Sequence, residues 1–200
     1  DARGAHPLLH SFPPRRSSDL LRIYGEMAAH FYQVRTRFQL APPVLAKEGS
    51  DELRRQFGKL LNHYLSLQRN LADDAPEKAL SDVPNIAATT ESFASELAAS
   101  DSARALTISV NLDAAVQQLK KSTNITELRT AFYPLSKILI EAVSTFGVSG
   151  AKPVYEHYCP MAFNDTGANW LDTSETISNP YFGDEMLRCG EVLNQLKLEE

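Results

Sequence analysis

The side chains with the most distinctive chemistry are two cysteines and two methionines near the end of the chain. The run Tyr155-Glu-His-Tyr-Cys-Pro-Met161 sets a thiol and a thioether two positions apart, with the His157 imidazole two positions before the thiol. The run Met186-Leu-Arg-Cys189 supplies a second pair. Thiolate and thioether are polarizable donors that favour Cu(I) or Ag(I) over hard cations, so Cys159, Met161, Met186 and Cys189 make a coherent metal-ligand set. His157 could add or replace one donor. The spacing has none of the CxxC pairs that mark zinc ribbons or knuckles, which disfavours structural zinc. A second chemistry fits the same residues. In an oxidising compartment a lone pair of cysteines bridges readily, and a Cys159–Cys189 disulfide would contribute about 3 to 4 kcal/mol by restricting the unfolded chain. Met161 and Met186 would then be packing residues. The residues alone leave both readings open.

Helices must carry this segment, because helical periodicity dominates everything before it. Ser50 is placed to cap a first helix, with Asp51 and Glu52 on its positive end and Leu53, Phe57, Leu60, Tyr64, Leu67 and Leu71 on one face. Asp73 and Asp74 before Ala75-Pro76-Glu77 predict an acidic cap for a second helix running toward Leu97, which Pro84 should kink or shorten. Asp101 and Ser102 reopen the chain into a third, with Ala105, Leu106, Leu112, Val116 and Leu119 as its apolar positions. Asn124 with Glu127 resembles a capping box for a fourth, whose stripe is Leu128, Phe132, Leu135, Leu139, Val143 and Phe146. Pro134 should bend this helix without breaking it, and Gly147 should stop it. Short polar turns between helices of this length predict an all-α fold, an antiparallel four-helix bundle. The Cys/Met-containing segment, residues 151–196, is expected to be irregular and packed on that bundle. Its one strand-like stretch is residues 153–158. Trp170, Tyr181 and Phe182 look like apolar anchors that pin the cysteine loop to the helices.

The start of the chain reads differently. HSFPPRRSSDL, residues 10–20, resembles the conceptual translation of a sequencing adapter, so residues 1–20 are expected to be an artefact without order. An interruption there would remove any upstream leader or domain. Residues 21–40 carry a helical stripe of Ile23, Met27, Phe31, Val34 and Phe38, and Pro42, Pro43 and Gly49 make residues 41–50 a linker. The domain proper is expected at 51–200.

Composition narrows the function. The 200 residues are 43% hydrophobic and 22% charged, enough for one core, and a net charge of -5 without clustered Lys or Arg gives no footprint for nucleic acid. No apolar run reaches the roughly 20 residues of a membrane span. No phosphate-binding Gly loop, nucleophile elbow or HExxH pattern occurs, which argues against an enzyme.

CPMAFNDTGANWL followed by NPYFGDEMLRCGEV is similar to the signature of the DUF3347 family, and residues 57–192 resemble it. The helical stretches GKLLNHYLSLQRNLADD and FYPLSKILIEAV fit the family in pattern, while the C-terminal motif is the specific part. The resemblance implies an envelope or periplasmic protein, alone or at the end of an adaptor subunit of a copper- or silver-efflux pump. Its partners would be the metal ion and other pump components. Under this resemblance Cys159, Met161, Met186 and Cys189 are candidate ligands. The competing expectation is a disulfide-stapled interaction module without metal.

Overall fold

The computed structural model describes residues 48–100, 102–149 and 152–196. The expectations for residues 1–20 and for the 21–40 helix lie outside the described residues, as does most of the 41–50 linker.

Four long helices form: α1 (Asp51–Ala72), α2 (Pro76–Ala98), α3 (Ala103–Lys121) and α4 (Ile125–Phe146). Three of their starts are written in side chains. The Ser50 hydroxyl accepts from the Leu53 amide at 3.1 Å, Ser102 does the same for Ala105, and Asn124 Oδ1 accepts from Glu127 at 2.9 Å. Glu127 turns back to accept the Thr123 amide, which completes a capping box displaced by one residue. Gly147, at φ 72°, ends α4 and returns its amide to the Val143 carbonyl.

The acidic cap expected for α2 is not there. Ala75 occupies the N-cap without a side-chain bond, and Asp74, at φ 50°, is drawn away into an ion pair with Arg129. Proline at the first helical position needs no amide partner, so the helix starts without that cap. Pro84 does not shorten α2 either. It lies on the exposed side of an uninterrupted helix. Pro134 likewise sits inside an uninterrupted α4.

The stripes predicted for α1, α3 and α4 are buried, with one correction. In α3 the buried residues are Ala105, Ile108, Leu112, Ala115, Val116 and Leu119, whereas Leu106 is 54% exposed. Position 106 lies about 100° around the helix from 105, and that single step puts it outside the stripe. The helices pack in sequence order, α1 on α2, α2 on α3 and α3 on α4, and α4 also touches α1 and α2. Phe57 stacks on Phe93 with centroids 5.0 Å apart, and Tyr64 stacks on Phe132 at 4.9 Å. Among the described residues no helix is long and apolar enough to cross a membrane.

The C-terminal segment is not irregular. It forms a three-stranded antiparallel sheet of β1 (Val154–Cys159), β2 (Ala168–Asp172) and β3 (Glu191–Leu196), in the order β2-β1-β3. The chain is therefore mostly helical with a small sheet, and not all-α. Tyr155, His157 and Cys159 alternate with the half-buried Glu156 and Tyr158, a period-two pattern that suits a strand paired on both edges. Only the first strand carried a visible signal, because β2 is five residues long and β3 is mostly exposed.

Sheet and helices are joined by buried polar contacts. The Tyr64 hydroxyl, fully buried in α1, lies 2.8 Å from Ser136 Oγ of α4 and accepts the Leu171 amide of β2 at 3.0 Å. Burial pushes its ionisation far above the ordinary tyrosine range, so it remains a neutral hydrogen-bonding group. Gln68 donates to the Ser178 carbonyl. Arg129 of α4 donates to the carbonyls of Leu71 and Pro180 and to Asp74, clamping the α1–α2 turn to the C-terminal segment.

Candidate functional site

The two cysteines, thirty positions apart, converge: their Sγ atoms are 3.2 Å from one another. Cys159 ends β1, fully buried and opposite the small Ala168 of β2. Cys189 arrives from the other side in a loop fixed at two points. The buried Asn179 donates its side-chain amide to the Cys189 carbonyl at 2.8 Å, and the Cys189 amide bonds the Met186 carbonyl at 2.9 Å. Gly190 follows at φ 139°, where a Cβ would stand 2.7 Å from the Tyr158 carbonyl and 3.0 Å from the Trp170 ring. Glycine is therefore required for the loop to press its cysteine against β1.

Both thiols are free. The Cys189 thiol is held above its ordinary pKa, chiefly by its hydrogen bond with Cys159 and further by partial burial. A separation of 3.2 Å stands between two end states. A disulfide requires closure to about 2.05 Å. Two thiolates sharing one ion, each bonded at about 2.3 Å with a tetrahedral angle, lie about 3.8 Å apart. The pair can reach either by a shift of roughly an ångström or less, and its donor set is sulfur alone. Among the described residues no group of three or more His, Cys, Asp or Glu side chains gathers as a metal site.

Met161, 47% exposed, and Met186 line one groove of about 770 Å3 together with Phe163, Tyr181, Phe182 and Arg129, and neither cysteine forms part of its wall. The groove's near side is a left-handed turn in which Phe163, Asn164 and Asp165 all have φ between 53° and 62°. Such backbone costs of order 1 to 3 kcal/mol per residue and persists only where surrounding contacts enforce it. Phe163 supplies them by packing on Tyr133 and Tyr181.

His157 shares the buried face of β1 with Cys159, but its ring packs edge-on against Trp170 with centroids 5.2 Å apart. Neither ring nitrogen has a hydrogen-bond partner among the described residues. Burial lowers its pKa, and the Asp172 charge and the Ser174 backbone oppose that shift without reversing it. The imidazole is thus neutral and keeps a free lone pair.

Trp170 and Tyr181 do act as anchors. Both are buried, they meet at 6.0 Å, Tyr181 packs on Phe132 of α4, and the Tyr181 hydroxyl donates to the Asn169 carbonyl at 2.7 Å. Sequence reasoning missed Arg129, Asp74 and Asn179 as the residues that hold the loop. Asn179-Pro180 was a readable turn signal. Nothing local marks Arg129, whose partners lie more than fifty positions away.

Comparison with known families matches residues 60–150 to DUF3347, described as a protein of unknown function. Over that stretch the chain is similar to this family, in line with the resemblance of its helical residues. The match covers most of the four helices and stops before β1, so both cysteines and both methionines of the site lie beyond it. No curated protein and no solved structure matches the chain.

Proposed function

We propose that this chain is a non-enzymatic accessory domain of a cell-envelope heavy-metal efflux system that binds Cu(I) or Ag(I) through the thiolates of Cys159 and Cys189. In this reading an antiparallel four-helix bundle is the rigid support, and the small sheet and its loops present the sulfur. The observation that supports it is the approach of the two thiols to 3.2 Å from separate segments, one buried and one half-buried. A soft monovalent cation replaces two thiol protons there, so binding strengthens as pH rises toward the raised Cys189 pKa. Met161 and Met186, a few residues away along the chain, are the nearest additional soft donors in sequence, and His157 is a neutral reserve donor. The periplasmic location and the pump partners rest on the family resemblance.

A second reading draws on the same distance. The thiols are closer than two thiolates on one ion would stand, which favours a Cys159–Cys189 disulfide that staples an interaction module without metal. Titration of the reduced protein against a Cu(I)-selective chromophore separates the two. The metal reading expects one equivalent bound, lost in Cys159→Ser and in Cys189→Ser and weakened in Met186→Leu. Absence of stoichiometric binding, with a large loss of thermal stability on reduction, would leave the staple.

A further inference from the structure

A different part of the surface carries an independent binding site. Gly58, Leu61, Asn62, Leu65, Ser66, Arg69 and Asn70 fall at helical spacing along one side of α1. This side is not the face that α1 buries deepest in the core, and across from it run Val148, Ser149, Lys152 and Val154, with Thr173 closing one end. Between them lies a cavity of about 540 Å3, within the range of small-molecule sites. The wall opposite α1 comes close to it at Ser149. The Ser149 carbonyl approaches Gly58 so tightly that a Cβ there would stand 2.7 Å from it.

The lining has a definite chemistry. Its floor is apolar, from Leu61, Leu65, Val148 and Val154, and Asn62, Ser66, Ser149 and Thr173 offer neutral hydrogen-bonding groups. Its charged side chains are Arg69 and Lys152, both cations, and no carboxylate lines it. Among the described residues neither Arg69 nor Lys152 makes an ion pair, while Arg54, Arg55, Arg104 and Arg129 all do. An apolar floor under two cations, with no carboxylate in the lining, suits a ligand with one anionic head and a short apolar body. A soft cation is repelled from it.

We propose that this cavity binds a small amphipathic carboxylate, its chain on Leu61, Leu65, Val148 and Val154 and its head between Arg69 and Lys152. The site uses none of the sulfur residues, and its failure would leave the metal reading untouched.

The test is a nuclear magnetic resonance titration of the reduced, metal-free 200-residue chain with octanoate, octan-1-ol and octylamine in parallel. Octanoate should give saturable shifts at Leu61, Leu65 and Val148, octan-1-ol should bind at least fivefold more weakly, and octylamine should not bind there. The doubly neutralised variant Arg69→Gln/Lys152→Gln, whose changes fall on exposed side chains, should keep its melting temperature and weaken octanoate at least fivefold. Equal binding of octanoate and octan-1-ol, equal binding by the variant, or saturable shifts confined to the Met161 groove would each overturn the proposal.

Discussion

Replacing Tyr64 by Phe tests how the C-terminal sheet is held to the helices. The ring would stay stacked on Phe132, so the change removes one buried oxygen and little packing. That oxygen serves two partners: it lies 2.8 Å from Ser136 Oγ and accepts the Leu171 amide at 3.0 Å, all in a region closed to water. Its loss leaves a buried donor unmade on β2, which costs about 1 to 3 kcal/mol, and strands the fully buried Ser136 hydroxyl as well. Together these give a destabilisation of about 2 to 3 kcal/mol, a fall in melting temperature of roughly 5 to 10 °C for a domain of this size. Ser136→Ala should cost less, about 0.5 to 1.5 kcal/mol, because Tyr64 keeps the Leu171 bond. Chemical denaturation monitored by the single tryptophan gives both values, since Trp170 lies beside Leu171 on β2. A Tyr64→Phe cost below about 0.5 kcal/mol, or one smaller than that of Ser136→Ala, would refute this account of the joint.

Three further outcomes follow from the same contacts. Arg129→Met removes donors from the Leu71 and Pro180 carbonyls and leaves Asp74 with the Asp184 amide alone, so it should destabilise by about 2 to 4 kcal/mol in urea unfolding. Trp170→Ala empties the space between His157, Tyr181 and Gly190, and should cost about 3 to 5 kcal/mol while raising the reactivity of Cys189 toward a thiol reagent. His157 has a folded pKa below its unfolded value of 6.5, so the unfolded chain takes up the proton first. The neutral ring's contribution is then complete above pH 6.5 and is lost as pH falls toward the folded pKa, at no more than about 1.4 kcal/mol per pH unit. Melting curves at pH 7.5 and 5.5 should show this slope, and His157→Gln should flatten it.

The helices were legible because they are amphipathic and three of them are capped by their own side chains: Ser50, Ser102 and Asn124 were readable as caps and act as caps. What escaped was set by distant partners. Asp74 reads as a helix cap until Arg129 is seen to claim it. Leu106 reads as core because neighbouring alanine and leucine are equally apolar, and only the packing of α3 shows which one faces out. The sheet was hidden because β2 and β3 are short and alternate weakly, and β1 organises them by pairing on both sides. At the site, the thiol types pointed to soft-metal or disulfide chemistry, and the pair does meet. The groove that Met161 and Met186 both line had no local signature, since it draws on residues far apart along the chain.

Copper K-edge absorption of the reduced chain loaded with one equivalent of Cu(I) bears most directly on the proposed role of the Cys159–Cys189 pair. Copper held by the two thiolates gives a first shell of sulfur scatterers that disappears in the Cys159→Ser/Cys189→Ser double variant. A nitrogen and oxygen shell, or a sulfur shell that persists without both cysteines, would contradict that role.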